Sequence, residues 1–288
     1  MQQVPMSAFF LAHESFIRLA AFGGVLLAMA GWEAAAPCRA RRFERRARWW
    51  TNIAMSATGT ALVRLILPVA AVGTAHWANE AGFGLFNRIE APAPLAFLLT
   101  LVALDLTIYG QHVAFHRFDV LWRMHRVHHA DPDIDTTTGI RFHPAEILVS
   151  MLVKMLAVAL IGAPVAAVIV FEIVLNATSL FNHANISLGE RIDPLMRLAL
   201  VTPDMHRVHH SIFRDEHDMN FGFNLSVWDR LFGTYRRSPR EEQRAMRIGL
   251  DAYPGSEPTR LLWSLALPFT GAARATSTAG ATGREKME

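Results

Sequence analysis

A single cysteine, Cys38, stands in 288 residues, which excludes an internal disulfide and any cysteine-ligated iron–sulfur cluster. Any metal held by side chains must then rest on nitrogen, with some oxygen. A glycine-rich dinucleotide motif is also missing, as is a fused haem or ferredoxin module. The first apolar run follows His13, Glu14 and Arg18 without a clean basic leader, so a cleavable signal peptide is not expected. Charged residues are sparse at 18%, whereas hydrophobic residues make up 52% and mean hydropathy is +0.22. That is too apolar for an ordinary soluble domain. The pI of about 9.5 could point to nucleic acid, but the arginines cluster where a membrane protein places them.

What the chain has instead is histidine in a repeated pattern. Met124-His125-Arg126-Val127-His128-His129 returns as Met205-His206-Arg207-Val208-His209-His210, and a separate box, His112 to His116, stands just upstream as the first of the three in chain order. On a helix His112 and His116 are one turn apart and share a face. His125, His128 and His129 span about 100° of arc, so all three imidazoles can point one way. Imidazole suits zinc, copper, iron and nickel. One tetrahedral zinc needs only four ligands, so eight imply two metals.

Hydropathy supplies the frame. Leu19 to Pro37 is a membrane-length run, followed by Arg39, Arg41, Arg42, Arg45, Arg46 and Arg48 with Trp49 and Trp50 as interfacial anchors. The positive-inside rule places that loop in the cytoplasm. Thr51 to Ala75 returns, carrying Arg64, for which Glu172 or Asp105 is a candidate partner. His76 reads as a surface residue beside an outer loop, Gly82 to Pro94. Pro94 to Tyr109 then descends into the first box. Ile147 to Leu180, apolar except for Lys154 and Glu172, would be roughly 50 Å long as one helix, against a hydrocarbon core of about 30 Å. Gly162-Ala163-Pro164 breaks it, predicting a hairpin that enters and leaves on one side. All three boxes then share the cytoplasmic face.

The expected fold is an all-α membrane bundle: about three N-terminal spans plus a hydrophobic hairpin, under a cytoplasmic histidine-rich helical cap. Residues 1–94 carry the first spans and the basic loop, 95–247 the catalytic domain, and 248–288 an interfacial segment with a disordered tail. Leu261 to Phe269, with Trp263, is expected at the interface, and Gly271 to Glu288 as the tail. Asp105, seven residues before His112, lies on nearly the same helical face. It is either an acceptor for an imidazole N–H or a partner between helices.

The three boxes around a hydrophobic hairpin resemble the fatty acid hydroxylase superfamily, the sterol desaturase group. Further matches are Asp105 through Tyr109 to His112, Leu121-Trp122-Arg123, Arg141-Phe142-His143-Pro144, Thr202-Pro203, Asn220-Phe221-Gly222 and Trp228 through Tyr235. The likeness covers roughly Leu95 to Tyr235; the N-terminal third matches only in hydropathy. It implies a membrane oxidoreductase that hydroxylates or desaturates a lipid with O₂ and two iron ions, which zinc can replace during purification. Electrons would come from a separate ferredoxin- or cytochrome-type donor.

The resemblance implies His112, His116, His125, His128, His129, His206, His209 and His210 as ligands, with His183 as a ninth. His143, Asp218 and Asn220 would act behind them through hydrogen bonds, and His217 would be a surface residue. Arg126 and Arg207 would point away, toward lipid phosphates or an acidic redox partner. A bacterial inner membrane is the expected location, with no role for nucleic acid. Competing readings are a zinc hydrolase and a haem or metal-transport protein. The boxes contain no Glu or Asp of the HExxH kind, and haem needs only one or two axial histidines.

Overall fold

The structure is a computed structural model and describes residues 13–271. Helices dominate, with two isolated bridges and no strand among the described residues. Five helical stretches are long and apolar enough to cross a membrane. The first is α1 (Glu14–Ala35), which stops ahead of Pro37. The expected Thr51 to Ala75 crossing starts earlier and is broken. Helix α2 (Arg45–Ile66) ends before Pro68, which bars the helical conformation at Leu67, and α3 (Ala70–Glu80) resumes beyond it.

Helix α4 (Ala93–Arg117) and α5 (Asp119–His129) are separated only by Phe118, in extended conformation. That one-residue joint folds the first box against the second. Helices α6 (Pro144–Ile161) and α7 (Val165–His183) form the hairpin. Gly162 makes its turn at φ +68°, a left-handed conformation that glycine adopts without strain. A Cβ on Gly84 would lie 2.3 Å from the Gly162 nitrogen, so the loop after α3 packs directly on the hairpin tip. The hairpin therefore reaches as deep as the N-terminal helices. Short helices α8 (Gly189–Met196), α9 (Pro203–His209) and α10 (Leu261–Ala266) belong to the cap.

Inside the bundle Ala71, Ala75, Val158, Ala163 and Phe171 pack around Leu104 and Ile108. Small side chains here let backbones approach closely. Outside, Leu19, Leu98, Leu156 and Leu160 are each at least half exposed, as lipid-facing residues are.

Glu172 joins three helices, bonding Lys154 at 2.7 Å and Arg18 at 2.7 Å. Neither candidate partner of Arg64 serves it, because Asp105 is taken up by the cap. Of the basic segment, Arg48 is fully buried rather than solvated. It bonds Asp131 and Asp135, each 2.8 Å or closer, and Asp133 O at 2.9 Å. Burial works to raise the Asp131 carboxyl, but the Arg48 guanidinium outweighs it and holds it below the usual range. Glu33 accepts from the backbone N–H groups of Thr136 (2.6 Å) and Asn185 (2.8 Å). The loops after the second box and after α7 are thus tied together.

Helix α10 does not simply float at an interface. Leu267, Leu261 and Trp263 pack on Met55, Val127 and Ala130 behind the second box, while Leu262 and Phe269 stay about four-fifths exposed. The expected disordered tail lies outside the described residues beyond Gly271.

Candidate metal centre

Nine histidines from α4, α5, α7 and α9 converge at one end of the bundle, all buried. They divide into two groups: His112, His116, His125, His129 and His209, and then His128, His183, His206 and His210. Within each group the candidate ligand atoms lie within 4.8 Å of one another.

The division runs through both repeated boxes. His125 and His129 enter the first group while His128 enters the second; His206 and His210 enter the second while His209 enters the first. Residues i and i+4 are only about 40° apart on a helix, whereas i+3 lies about 100° from i+4. The outer pair therefore shares one focus and the middle histidine faces the other. The expectation that all three point one way is replaced by a two-plus-one split, repeated with the groups exchanged.

Hydrogen bonds behind the rings fix which nitrogen faces inward. Nδ1 of His112 donates to Phe221 O at 2.8 Å, that of His209 to Met219 O at 2.8 Å, and that of His183 to Ser179 O at 2.7 Å. His125 Nδ1 is 2.6 Å from Glu146 Oε1, and His116 Nδ1 is 3.2 Å from Asp218 Oδ1. With Nδ1 protonated, Nε2 carries a lone pair.

The Nε2 atoms of His112 and His125 consequently face each other as two acceptors 3.1 Å apart in a buried site. Two lone pairs repel there unless a cation lies within reach of both. Nitrogen ligands at right angles around an ion about 2.1 Å away sit about 3.0 Å apart. The spacing fits, and it recurs between His183 and His128 (3.1 Å) and His206 and His183 (2.9 Å). Nε2 of His209 is buried with no hydrogen-bond partner, another acceptor aimed at the first focus.

Protonation favours the same role. Burial pushes the His125 imidazole down to about 3. Burial, reinforced by neighbouring rings, also holds His128, His129, His206, His209 and His210 well below the usual histidine value. All six are neutral near pH 7, as metal ligands must be.

The remaining sequence candidates sit further out. Asp105 touches no imidazole; it accepts from Asn224 Nδ2 and Trp228 Nε1, both at 2.8 Å, bracing the loop that carries Phe221. Asn220, at φ +57°, donates to Met205 O at 3.0 Å and to Arg236 O at 2.9 Å, pinning the start of the third box. His143 belongs to neither group and caps α6 by accepting from Ala145 N at 3.2 Å. His217 is buried, not a surface residue, and stacks on Trp122 at 5.5 Å. Arg126 and Arg207 do leave the centre, but both are buried and turn into the protein rather than to its surface. Arg126 donates to Leu267 O at 2.6 Å, and Arg207 donates to Ile186 O at 2.7 Å and pairs with Asp204. Glu146 was missed in the sequence. Its only signal there is a carboxylate in the first turn of the hairpin, directly before the apolar run that starts at Ile147.

A cavity of about 970 Å³ opens on His112 and His125, walled by Phe115, Phe142, Met151 and Phe223. It runs between α1, α2, α4, α6 and α7, so its walls are the span-length helices themselves.

Comparison with known proteins gives one reading. Residues 97–234 match the model of a family described as fatty acid hydroxylase. Over 179 residues the chain is 32% identical to ornithine lipid hydroxylase OlsE of Rhizobium tropici, covering 62% of this chain and 52% of that protein. Human alkylglycerol monooxygenase is 28% identical over 163 residues, 55% of this chain and 34% of the relative. A very-long-chain aldehyde decarbonylase, GL1-6 of Oryza sativa subsp. indica, is 24% identical over 209 residues, 69% and 30% of the two chains. The match thus spans about half the length of the first relative and about a third of the others. No solved structure matches the chain.

Proposed function

Since residues 97–234 belong to the fatty acid hydroxylase family, we propose that this chain is a membrane-bound, O₂-dependent oxidoreductase that hydroxylates or desaturates a lipid. The observation that carries the reading is the pair of buried imidazole groups, the first of which opens through His112 and His125 on a cavity lined there by Phe115, Phe142 and Phe223. Five histidines would hold one iron and four the other, and zinc can take their place in a purified sample. Bound iron supplies the capacity to reduce O₂ with two external electrons and to oxidise an unactivated C–H bond.

The chain's own residues do the rest. Phe221 O, Met219 O, Ser179 O, Glu146 and Asp218 each hold an Nδ1 proton, which fixes ring orientation and keeps Nε2 free for metal. Phe115, Phe142 and Phe223 keep water from the approach to His112 and His125. A lipid chain enters between the helices and presents a carbon to those two histidines. Electrons come from a separate ferredoxin- or cytochrome-type protein at the cap. The arginines of the α1–α2 segment favour a cytoplasmic cap on a bacterial inner membrane.

Lipid mass spectrometry of cells with and without the protein tests this reading. A gain of one oxygen or loss of two hydrogens, abolished by His128→Ala and by omission of iron or O₂, is expected. Full turnover with zinc in the absence of O₂ would instead favour a hydrolase.

A further inference from the structure

Charged side chains along the cavity have hydrogen-bonding partners, with one exception. Arg18 bonds Glu14 at 2.8 Å and Glu172 at 2.7 Å, Lys154 bonds Glu172 at 2.7 Å, and Glu146 meets His125 at 2.6 Å. Arg64 lines the same cavity, is exposed, and has no carboxylate or other hydrogen-bonding partner among the described residues. It sits in the last turn of α2, inside a span-length stretch. A lone cation at such a place is costly, and characteristically marks the path of a ligand.

Its depth is set by packing. A Cβ on Gly59 would lie 3.3 Å from Ile147 Cγ1, so α2 and α6 run side by side from the histidine end, with Gly59 level with the residue after Glu146. Arg64 is five residues further along α2, roughly 8 Å beyond that level. The cavity thus has the two histidines at one end and a single unmatched positive charge partway along it.

We propose that Arg64 anchors an anionic group of the substrate, a carboxylate or a phosphate, while the attached chain lies against His112 and His125. The planar guanidinium offers two parallel N–H donors to either group. An anionic group would give Arg64 the partner that the described residues do not supply, and the distance from Arg64 to the histidines selects which carbon is oxidised. This inference rests on the cavity being the lipid site. A side chain engaged instead with the C-terminal carbonyls of α2, or extended to the far membrane surface, would give no anion preference in the cavity.

Binding separates these possibilities without needing turnover. The full chain in detergent is titrated with hexadecanoate, its methyl ester, and hexadecyl phosphate, with folding checked by thermal melting. The wild type is expected to prefer an anion over the ester by about tenfold or more. Arg64→Gln removes the preference and leaves ester affinity unchanged, while Arg64→Lys keeps part of it. Whichever anion binds better names the source as carboxylate or phosphate lipid. Equal binding of acid, phosphate and ester by the wild type, or a preference that survives in Arg64→Gln, overturns the anchor. A wild type that shows no preference yet oxidises lipid in cells in an O₂-dependent way sinks the anchor alone. A wild-type preference that Arg64→Gln removes, without any lipid oxidation in cells, sinks the oxidoreductase reading and leaves the anion site standing.

Discussion

Glu146 Oε1 and His125 Nδ1 are 2.6 Å apart, although the residues belong to different helices and lie 21 positions apart in the chain. The carboxylate arrives from the first turn of the hairpin and meets the back of a ring whose front faces His112. A group behind a ligand fixes its tautomer and raises its basicity. Glu146→Gln retains an acceptor but not the charge, so metal affinity should fall by about 10- to 100-fold, and Glu146→Leu should cost more. Competition with a chelator measures it. Tight metal binding by Glu146→Leu would show the carboxylate to be dispensable.

His183 and His143 make opposite predictions. His183 is one of four in the second group, whereas His143 stands in neither. Wild-type protein is expected to carry two metals per chain. His183→Ala should bind fewer than two and lose lipid oxidation. His143→Ala should keep two, losing the helix cap, about 1 kcal/mol of stability, and the bond from its Nε2 to Leu265 O. Elemental analysis alongside a melting curve distinguishes them.

Gly139 is predicted to be irreplaceable for a reason of contact. A Cβ there would lie 2.5 Å from Ser179 O, the carbonyl that receives the His183 Nδ1 proton. Gly139→Ala must push α7 away from the centre. It should lower metal content as His183→Ala does, although no ligand is touched. Normal metal content in a folded Gly139→Ala protein would contradict this.

Arg48 compensates Asp131 and Asp135 in the interior of the cap. Removing one member of a buried ion cluster strands the others, at a cost of about 3–5 kcal/mol. Arg48→Leu should therefore lower the melting temperature sharply, and a combined change with Asp131→Asn and Asp135→Asn should recover part of it. A melting temperature unchanged in Arg48→Leu would refute this account.

Several features were legible before any tertiary information. The repeated hexapeptide and the box from His112 to His116 already name eight of the nine converging histidines, because ligand spacing on a helix is a local property. The hairpin was equally readable, since Gly162 and Pro164 act on their own backbone. His183 needed the family resemblance, as one histidine at the end of an apolar helix has no pattern of its own.

The sequence by itself thus determined how many imidazoles there are, where along the chain they fall, and which helices are long enough to span. Only the tertiary structure decided how they are shared. Helical periodicity separates the outer pair of each repeated box from its middle histidine, but which focus each set joins depends on how α5 and α9 face each other across α4 and α7. The same holds for Glu146 behind His125, for buried Arg48 and His217, and for Arg64 alone in its cavity. Each of those environments is made by residues from other helices, so its charge balance and burial exist only once the chain has packed.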